Sequence, residues 1–251
     1  MLTVQKFLNK DSIKISDPQV ALGGLILCLL IILKVYGIIC LVIKMKTYKI
    51  YFVKHGLIEG NLTGKYIGKT DALLIPEGLA MLNAMKEQYV YPPVDEYFTS
   101  PLMRCKQTMA ALYPEAEPIV VPELAEYNFG DFEGKTAKEL ADNEDYIKWI
   151  SPESAQVSAP NGENTEEFTT RVCMAFNSIV QYMMSNNKRE AVICTHGGVI
   201  STILATYGFP QRTVSEWDCV GGKGYCIQVT PTIWMREGMF EIIGLFPFVK
   251  D

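Results

Sequence analysis

Apolar residues along this chain fall into short runs bounded by turn residues, which is the pattern of buried β-strands. The runs are rich in β-branched and aromatic side chains. They predict strands over residues 48–53, 97–99, 119–121, 191–194, 224–229 and 240–245. Helical patterns separate several of these runs, and strands that alternate with helices favour an α/β domain.

Helix start signals support this alternation. Ser100 and Pro101 offer an N-cap and a proline at the first helical position before residues 103–112. Two pairs have the capping-box spacing, Thr136 with Glu139 and Asn164 with Glu167. After the second pair, apolar residues recur on one helical face at positions 168, 172, 175, 176, 179 and 183. We therefore predict a three-layer α/β sandwich with a mostly parallel central sheet.

The N-terminal segment has a different pattern. Residues 19–43 are apolar apart from Lys34 and Tyr36, and a helix of that length could cross a bilayer. This divides the chain into an N-terminal segment, residues 1–46, and a folded domain, residues 47–251. The prediction is a single transmembrane helix that anchors a cytoplasmic catalytic domain. A start at Met45 is the alternative, and the protein would then be cytoplasmic.

Composition and charge narrow the choice of partners. The chain has 251 residues, of which 49% are hydrophobic and 20% charged, as in folded proteins. Residues 1–46 hold six lysines and two aspartates, which leaves 17 basic and 26 acidic residues in the rest. A nucleic-acid partner is disfavoured, because binding to phosphate backbones needs a basic face. None of the seven cysteines forms a CxxC pair, which indicates reduced thiols.

The chain has only two histidines, His55 and His196, and both follow a predicted strand and precede a glycine. A glycine at that position lets the backbone turn sharply and lets its N–H approach an anion. Arg104 stands in the first turn of a predicted helix, where anions bind readily. Glu126 lies in a loop with aromatic and glycine neighbours, surroundings that can keep a carboxyl protonated near neutral pH.

These residue types suit phosphoryl transfer. A neutral imidazole attacks phosphorus, the cations of Lys54 and Arg104 spread the charge of the equatorial oxygens, and the acid protonates the leaving oxygen. No metal or other cofactor is needed. Zinc binding is the alternative for two histidines and a carboxylate, but no HExxH or closely spaced ligand pair occurs.

Residues 47–251 resemble the histidine phosphatase superfamily, the phosphoglycerate-mutase-like group. The family's Arg-His-Gly signature stands here as Lys54-His55-Gly56, and Asn61 takes the place of a later asparagine. Other motifs follow in family order: residues 64–71, Ser-Pro-x-x-Arg at residues 100–104, a Gly-Glu-Ser-like segment at residues 160–164, and Thr-His-Gly-Gly at residues 195–198.

The resemblance implies roles for these residues. His55 becomes a transient phosphohistidine, Arg104 and His196 bind the phosphoryl group, and Glu126 donates the proton. Lys54, Asn61 and Gly197 complete the expected substrate-binding set.

The motif around Glu126 is closest in style to the family's small-molecule phosphatases, such as the α-ribazole phosphatases. The expected activity is therefore hydrolysis of a small phosphomonoester. Two alternatives stay open. One is a phosphomutase of the same family. The other is a weakly active or non-catalytic phospholigand-binding protein, because Lys54 replaces the family arginine. The sequence predicts no oligomeric state.

Overall fold

The computed structural model of the chain describes residues 47–151 and 156–250. The strands of this part are β1 (Tyr48–Lys54), β2 (Tyr89–Val90), β3 (Glu96–Thr99), β4 (Ile119–Val120), β5 (Glu190–Thr195), β6 (Gly208–Phe209), β7 (Gly224–Val229), β8 (Phe240–Phe246) and β9 (Phe248–Val249). Its α-helices are α1 (Glu59–Thr63), α2 (Pro76–Gln88), α3 (Met103–Leu112), α4 (Glu144–Trp149), α5 (Thr165–Ser185), α6 (Gly197–Tyr207) and α7 (Pro231–Glu237).

Seven strands form one sheet in the order β4-β3-β5-β1-β7-β8-β6, and β2 pairs with β9 separately. The pairs β4/β3, β3/β5, β5/β1 and β8/β6 are parallel, whereas β7 runs antiparallel to both β1 and β8. This confirms the predicted α/β fold with a mostly parallel sheet. All six predicted strands are present, within a residue or two of their predicted ends.

Helices cover both faces of this sheet, because successive side chains of a strand point to opposite sides. Ile50 and Phe52 of β1 belong to a core that contains the buried face of α5 and residues of α6. Tyr51 and Val53 belong to a second core, which contains residues of α2 and α3. The domain therefore has the three layers that the sequence predicts.

Two predicted helix starts are wrong. Ser100 is not an N-cap, since its N–H donates to the Cys194 carbonyl at 3.0 Å and α3 begins at Met103. Backbone pairing with the sheet thus extends past Thr99 and delays the helix. Thr136 and Glu139 do make reciprocal capping-box hydrogen bonds, but a series of turns follows instead of an α-helix.

The predicted transmembrane segment, residues 19–43, lies outside the described residues. Within residues 47–151 and 156–250, no helix is long and apolar enough to cross a bilayer.

The carboxyl ends of three parallel strands meet at one edge of the sheet. Lys54 at the end of β1 pairs with Thr195 at the end of β5, and Thr99 of β3 pairs with Cys194. In each strand, the residue that follows begins a loop. His55, Ser100 and His196 therefore come together at this edge.

Candidate active site

The two histidines lie on adjacent strand ends. The His55 backbone N–H donates to the Thr195 carbonyl at 2.9 Å, which continues the pairing of β1 with β5 by one residue. The centroids of the His55 and His196 rings are 5.2 Å apart, at an interplanar angle of 61°. The structure thus brings together two rings that are 141 positions apart in the chain.

His55 is held as a neutral imidazole of one tautomer. Its Nδ1 lies 2.7 Å from the Gly56 carbonyl, which can only accept, so Nδ1 carries the hydrogen and Nε2 keeps a lone pair. The pKa of the His55 ring is lowered to about 3, chiefly by burial and also by the Arg104 and Lys54 cations, while the Gly56 hydrogen bond opposes the shift. Among the described residues, no group is hydrogen-bonded to Nε2.

His196 differs, because protein groups contact both of its ring nitrogens. Arg104 Nε donates to Nδ1 at 3.3 Å, so Nε2 carries the hydrogen and donates to the Ser100 hydroxyl at 2.7 Å. The side chain is fully buried. Burial holds the pKa of this imidazole well below 6.5, and the charges of Arg104 and His55 act in the same direction.

Arg104 lies in the first turn of α3, as predicted, and is completely buried. Its Nη1 donates to the Thr70 carbonyl at 2.7 Å and its Nη2 to the Gly68 carbonyl at 2.6 Å. With the bond to His196, three of its five N–H groups are engaged. The remaining two have no hydrogen-bond partner among the described residues.

Glu126 reaches the start of α6. Its carboxylate accepts hydrogen bonds from the N–H of Tyr127 at 3.0 Å and from that of Gly198 at 3.1 Å. A Cβ at position 198 would lie 2.5 Å from Glu126 Oε1, so only glycine allows this approach. Burial raises the pKa of the Glu126 carboxyl, although both hydrogen bonds and the Arg104 and Lys54 cations oppose that shift.

A cleft of about 360 Å³ opens beside His55. Its walls are Lys54, His55, Gly56, Leu57, Asn61, Met81, Asp218, Cys219, Val220 and Gly221. Lys54 Nζ donates to the Cys219 carbonyl at 2.9 Å, and the Lys54 side chain passes close to Gly197. Asn61 is an exposed residue of α1 whose side-chain oxygen accepts from the Ile58 N–H at 3.2 Å. All predicted site residues thus lie at or next to the edge that carries His55 and His196.

Sequence reasoning missed two groups of supporting residues. Ser100 was assigned to helix capping, yet its hydroxyl contacts His196. Arg171 of α5 was not singled out. It pairs with Glu163 at 2.7 Å and donates to the carbonyls of Ala125, at 2.9 Å, and Glu126, at 3.4 Å. This pair braces the loop that carries Glu126, and only the Gly-Glu-Ser-like motif around Glu163 could have indicated it.

Comparison with known proteins agrees with this geometry. Residues 50–229 match the histidine phosphatase superfamily, branch 1. The chain is 29% identical over 162 residues to the adenosylcobalamin/α-ribazole phosphatase of Salmonella typhimurium, which covers 62% of this chain and 78% of the relative. It is 27% identical over 160 residues to the 2,3-bisphosphoglycerate-dependent phosphoglycerate mutase 2 of Gloeobacter violaceus, covering 61% and 72% of the two chains.

Solved structures show the same fold. The α-ribazole phosphatase of Shigella flexneri superposes with a TM-score of 0.64 at 20% identity, over 80% of this chain and 96% of that one. Because the family match spans most of the chain, this protein belongs to the histidine phosphatase superfamily. Its relatives in that family include both phosphatases and a phosphomutase.

Proposed function

We propose that this protein hydrolyses a small phosphomonoester through a phosphohistidine at His55, with Glu126 as the proton donor. One observation carries the proposal. His55 lines the cleft, its Nδ1 hydrogen is fixed by a carbonyl, and its Nε2 is free of the described protein groups. Its ring lies 5.2 Å, between centroids, from that of His196, which accepts a hydrogen bond from Arg104. This is the state that a nitrogen nucleophile needs at neutral pH.

In the first step, the Nε2 lone pair of His55 attacks phosphorus. An N–P bond forms and the bond from phosphorus to the alcohol oxygen breaks. Lys54 and the two unengaged N–H groups of Arg104 stabilise the charge on the phosphoryl oxygens. The Nε2–H of His196 joins them by exchanging the Ser100 hydroxyl for a phosphoryl oxygen.

Glu126 serves both halves of the reaction. As a carboxylic acid it gives its proton to the leaving alkoxide, which departs as an alcohol. The resulting carboxylate then takes a proton from water while the water oxygen attacks phosphorus. The N–P bond breaks, inorganic phosphate is released, and His55 and protonated Glu126 are restored.

We propose that the reaction is metal-independent. The cations Lys54 and Arg104 and the N–H of His196 provide the charge stabilisation, and His55 provides the nucleophile. Turnover with EDTA in large excess over trace metal should equal turnover without EDTA. A loss of activity that Mg²⁺ or Zn²⁺ restores would contradict this part of the proposal.

The test is turnover of p-nitrophenyl phosphate by the purified full chain, with His55→Ala as the comparison. We expect release of inorganic phosphate from the wild type and none above background from the variant. Phosphate binding without turnover between pH 5 and 8 would instead support a phospholigand-binding protein.

A phosphomutase is the second candidate, because a mutase is among the relatives. The naming of the Salmonella relative as a phosphatase supports hydrolysis. A panel of sugar phosphates, nucleotides and cofactor-precursor phosphates separates the two. Hydrolysis releases inorganic phosphate, whereas a mutase moves the phosphoryl group within one substrate without releasing it.

Residues 19–43 are proposed to anchor this domain to a membrane, on the basis of their apolar sequence alone. Cell fractionation tests this, followed by a mass measurement of the isolated protein. A membrane-bound full-length chain is expected. A protein that begins at Met45 and stays in the supernatant would overturn the anchor.

A further inference from the structure

Glu133 makes a concentrated set of hydrogen bonds outside the machinery described above. It follows the 3₁₀ turn Gly130–Phe132 and is partly buried. Its carboxylate accepts from the backbone N–H groups of Gly68 at 3.0 Å, Lys69 at 2.9 Å and Thr70 at 3.3 Å, and from the Thr70 hydroxyl at 2.5 Å. One carboxylate thus receives four donors from three consecutive residues, which we name the 68–70 loop.

The opposite side of the same loop binds Arg104. The carbonyls of Gly68 and Thr70 accept the Nη2 and Nη1 hydrogen bonds of the guanidinium. The peptide groups of the 68–70 loop therefore stand between a carboxylate on their N–H side and a guanidinium on their carbonyl side. Charges placed in this way polarise the intervening hydrogen bonds and strengthen both ends.

We propose that Glu133 is a positioning residue that, through the 68–70 loop, fixes the guanidinium of Arg104 for phosphoryl binding. The proposal rests on the proposed function, in which Arg104 contacts the phosphoryl group. Arg104 makes no side-chain bond to an acidic residue within the described chain, so the loop carbonyls are what orient its Nη1 and Nη2.

Glu133 also contacts the loop that carries the proton donor. Its Oε1 accepts the Phe129 N–H at 3.3 Å, three residues after Glu126. A Cβ on Gly68 would lie 1.7 Å from the Tyr127 carbonyl oxygen and 2.6 Å from that same Oε1, so the approach of the two loops depends on glycine at position 68. Glu133 therefore ties the loop of the acid to the loop that holds the cation.

The side chain at position 133 must be a carboxylate, because every group that contacts Glu133 in these hydrogen bonds is a donor. A glutamine has one acceptor oxygen, and its NH₂ group would face N–H groups that cannot accept. Glu133→Gln keeps the size of the side chain but leaves donors of the 68–70 loop unpaired. The loop carbonyls then no longer fix the guanidinium.

The experiment measures kcat, KM and competitive inhibition by inorganic phosphate for the full chain. Glu139→Gln is the matched control, because Glu139 also accepts from a backbone N–H and a hydroxyl, at 2.7 and 2.8 Å, but both belong to Thr136. We expect Glu133→Gln to lower kcat/KM by about 100-fold and to weaken phosphate inhibition by roughly tenfold. Glu139→Gln should change either value by less than about twofold.

A double-mutant cycle separates positioning from general stability. If Glu133 acts through Arg104, Glu133→Gln should have almost no further effect on the residual kcat/KM of Arg104→Ala. If Glu133→Gln lowers kcat/KM by the same factor in the wild type and in Arg104→Ala, the proposal is overturned. Unchanged phosphate inhibition in folded Glu133→Gln would also overturn it. Should Glu133→Gln not fold, Thr70→Val removes one of the four loop donors and should weaken phosphate inhibition in the same direction.

Failure of the proposed function would look different. If the wild-type chain shows no turnover, the phosphatase assignment is contradicted. The affinity for inorganic phosphate, measured by calorimetry, then becomes the readout in place of kinetics. Weaker phosphate binding in Glu133→Gln than in Glu139→Gln would still support the role of Glu133, whereas equal binding would reject it.

Discussion

The two strand ends that carry histidines share a sequence pattern and differ in their hydrogen bonds. Each has a strand, a histidine and a glycine, and each ring is buried and neutral. At the end of β1, a carbonyl fixes one nitrogen of His55 and leaves the other unengaged. At the end of β5, Arg104 and Ser100 occupy both nitrogens of His196.

This difference assigns distinct proposed roles to the two rings. A nucleophile needs a free lone pair, which His55 has, whereas the lone pair of His196 Nδ1 accepts a hydrogen bond from Arg104. His196 can only offer its Nε2 hydrogen to an anion. Similar motifs therefore receive different proposed roles, because the side chains next to each ring come from different parts of the chain.

Alanine variants of the two histidines test these roles directly. Replacing His55 by alanine removes the nucleophile and should lower kcat for p-nitrophenyl phosphate by on the order of 10⁴-fold or more. His196→Ala removes one hydrogen-bond donor to the phosphoryl group and should lower kcat by about 10²- to 10³-fold. Steady-state kinetics of both variants give the comparison.

Each variant must first be shown to fold, by circular dichroism and its thermal midpoint. Equal losses in folded His55→Ala and His196→Ala would indicate that the two rings act as one unit. A larger loss in His196→Ala would reverse the assignment.

Glu126→Gln should have the next largest effect, and it should depend on the leaving group. An alkyl phosphate needs protonation of its poor leaving oxygen, so we expect a loss of about 10²- to 10⁴-fold in kcat. p-Nitrophenolate leaves readily without a proton, so the first step on that substrate should be affected far less. Single-turnover rates on the two substrates measure the difference, and equal losses would contradict Glu126 as the proton donor.

The raised pKa of the Glu126 carboxyl also predicts how the single-turnover rate changes with pH. The acid must be protonated in the first step, so the single-turnover rate on an alkyl phosphate should fall as pH rises through that pKa. Protonation of His55 should limit the rate only near its pKa of about 3. A pH–rate profile of the wild type against Glu126→Gln tests this, because the variant should lose the alkaline limb.

Lys54→Arg is expected to raise activity, unlike the variants above, and by a smaller factor. Lys54 is a point charge that already donates to the Cys219 carbonyl, whereas an arginine fork can hold two phosphoryl oxygens at once. We expect kcat/KM for p-nitrophenyl phosphate to rise by about tenfold or less. Lys54→Met, which removes the charge, is the control and should lower it. A fall in Lys54→Arg would show that the cleft is built for lysine.

The buried neutral histidines should also make the free energy of unfolding depend on pH, independently of catalysis. Below about pH 6.5 the unfolded chain gains a proton at position 55, but the folded chain does so only near pH 3. The unfolded state thus binds more protons, and this contribution to stability is lost as pH falls through that window. His55→Asn should show a shallower acid dependence of its urea midpoint than the wild type. Parallel dependences would contradict the low pKa.

Local signals in the sequence predicted those site residues whose position follows from the end of a strand or the start of a helix. His55 and His196 were predicted because each follows a strand and precedes a glycine, and Arg104 because it stands in the first turn of a helix. Ser100 was misassigned to capping, since the pairing of its N–H with Cys194 is a contact between distant residues.

Other parts of the site depend on contacts that no local pattern contains. Glu133 meets Gly68 across 65 positions, and Arg171 meets the Ala125 carbonyl across 46. Glycine is required at position 68 by the close approach of the Tyr127 carbonyl, and at position 198 by the approach of Glu126. Local sequence patterns thus predict the groups that we propose to react, and long-range packing determines which groups hold them.

Mapping the phosphoryl group on this chain shows whether His55 is the nucleophile. The full chain is mixed with substrate, quenched within milliseconds under alkaline conditions that preserve phosphohistidine, digested, and analysed by tandem mass spectrometry. The account predicts a phosphoryl group on Nε2 of His55 in the wild type, with none in His55→Ala. A phosphoryl group on His196, or rapid formation of product with neither histidine modified, would contradict it.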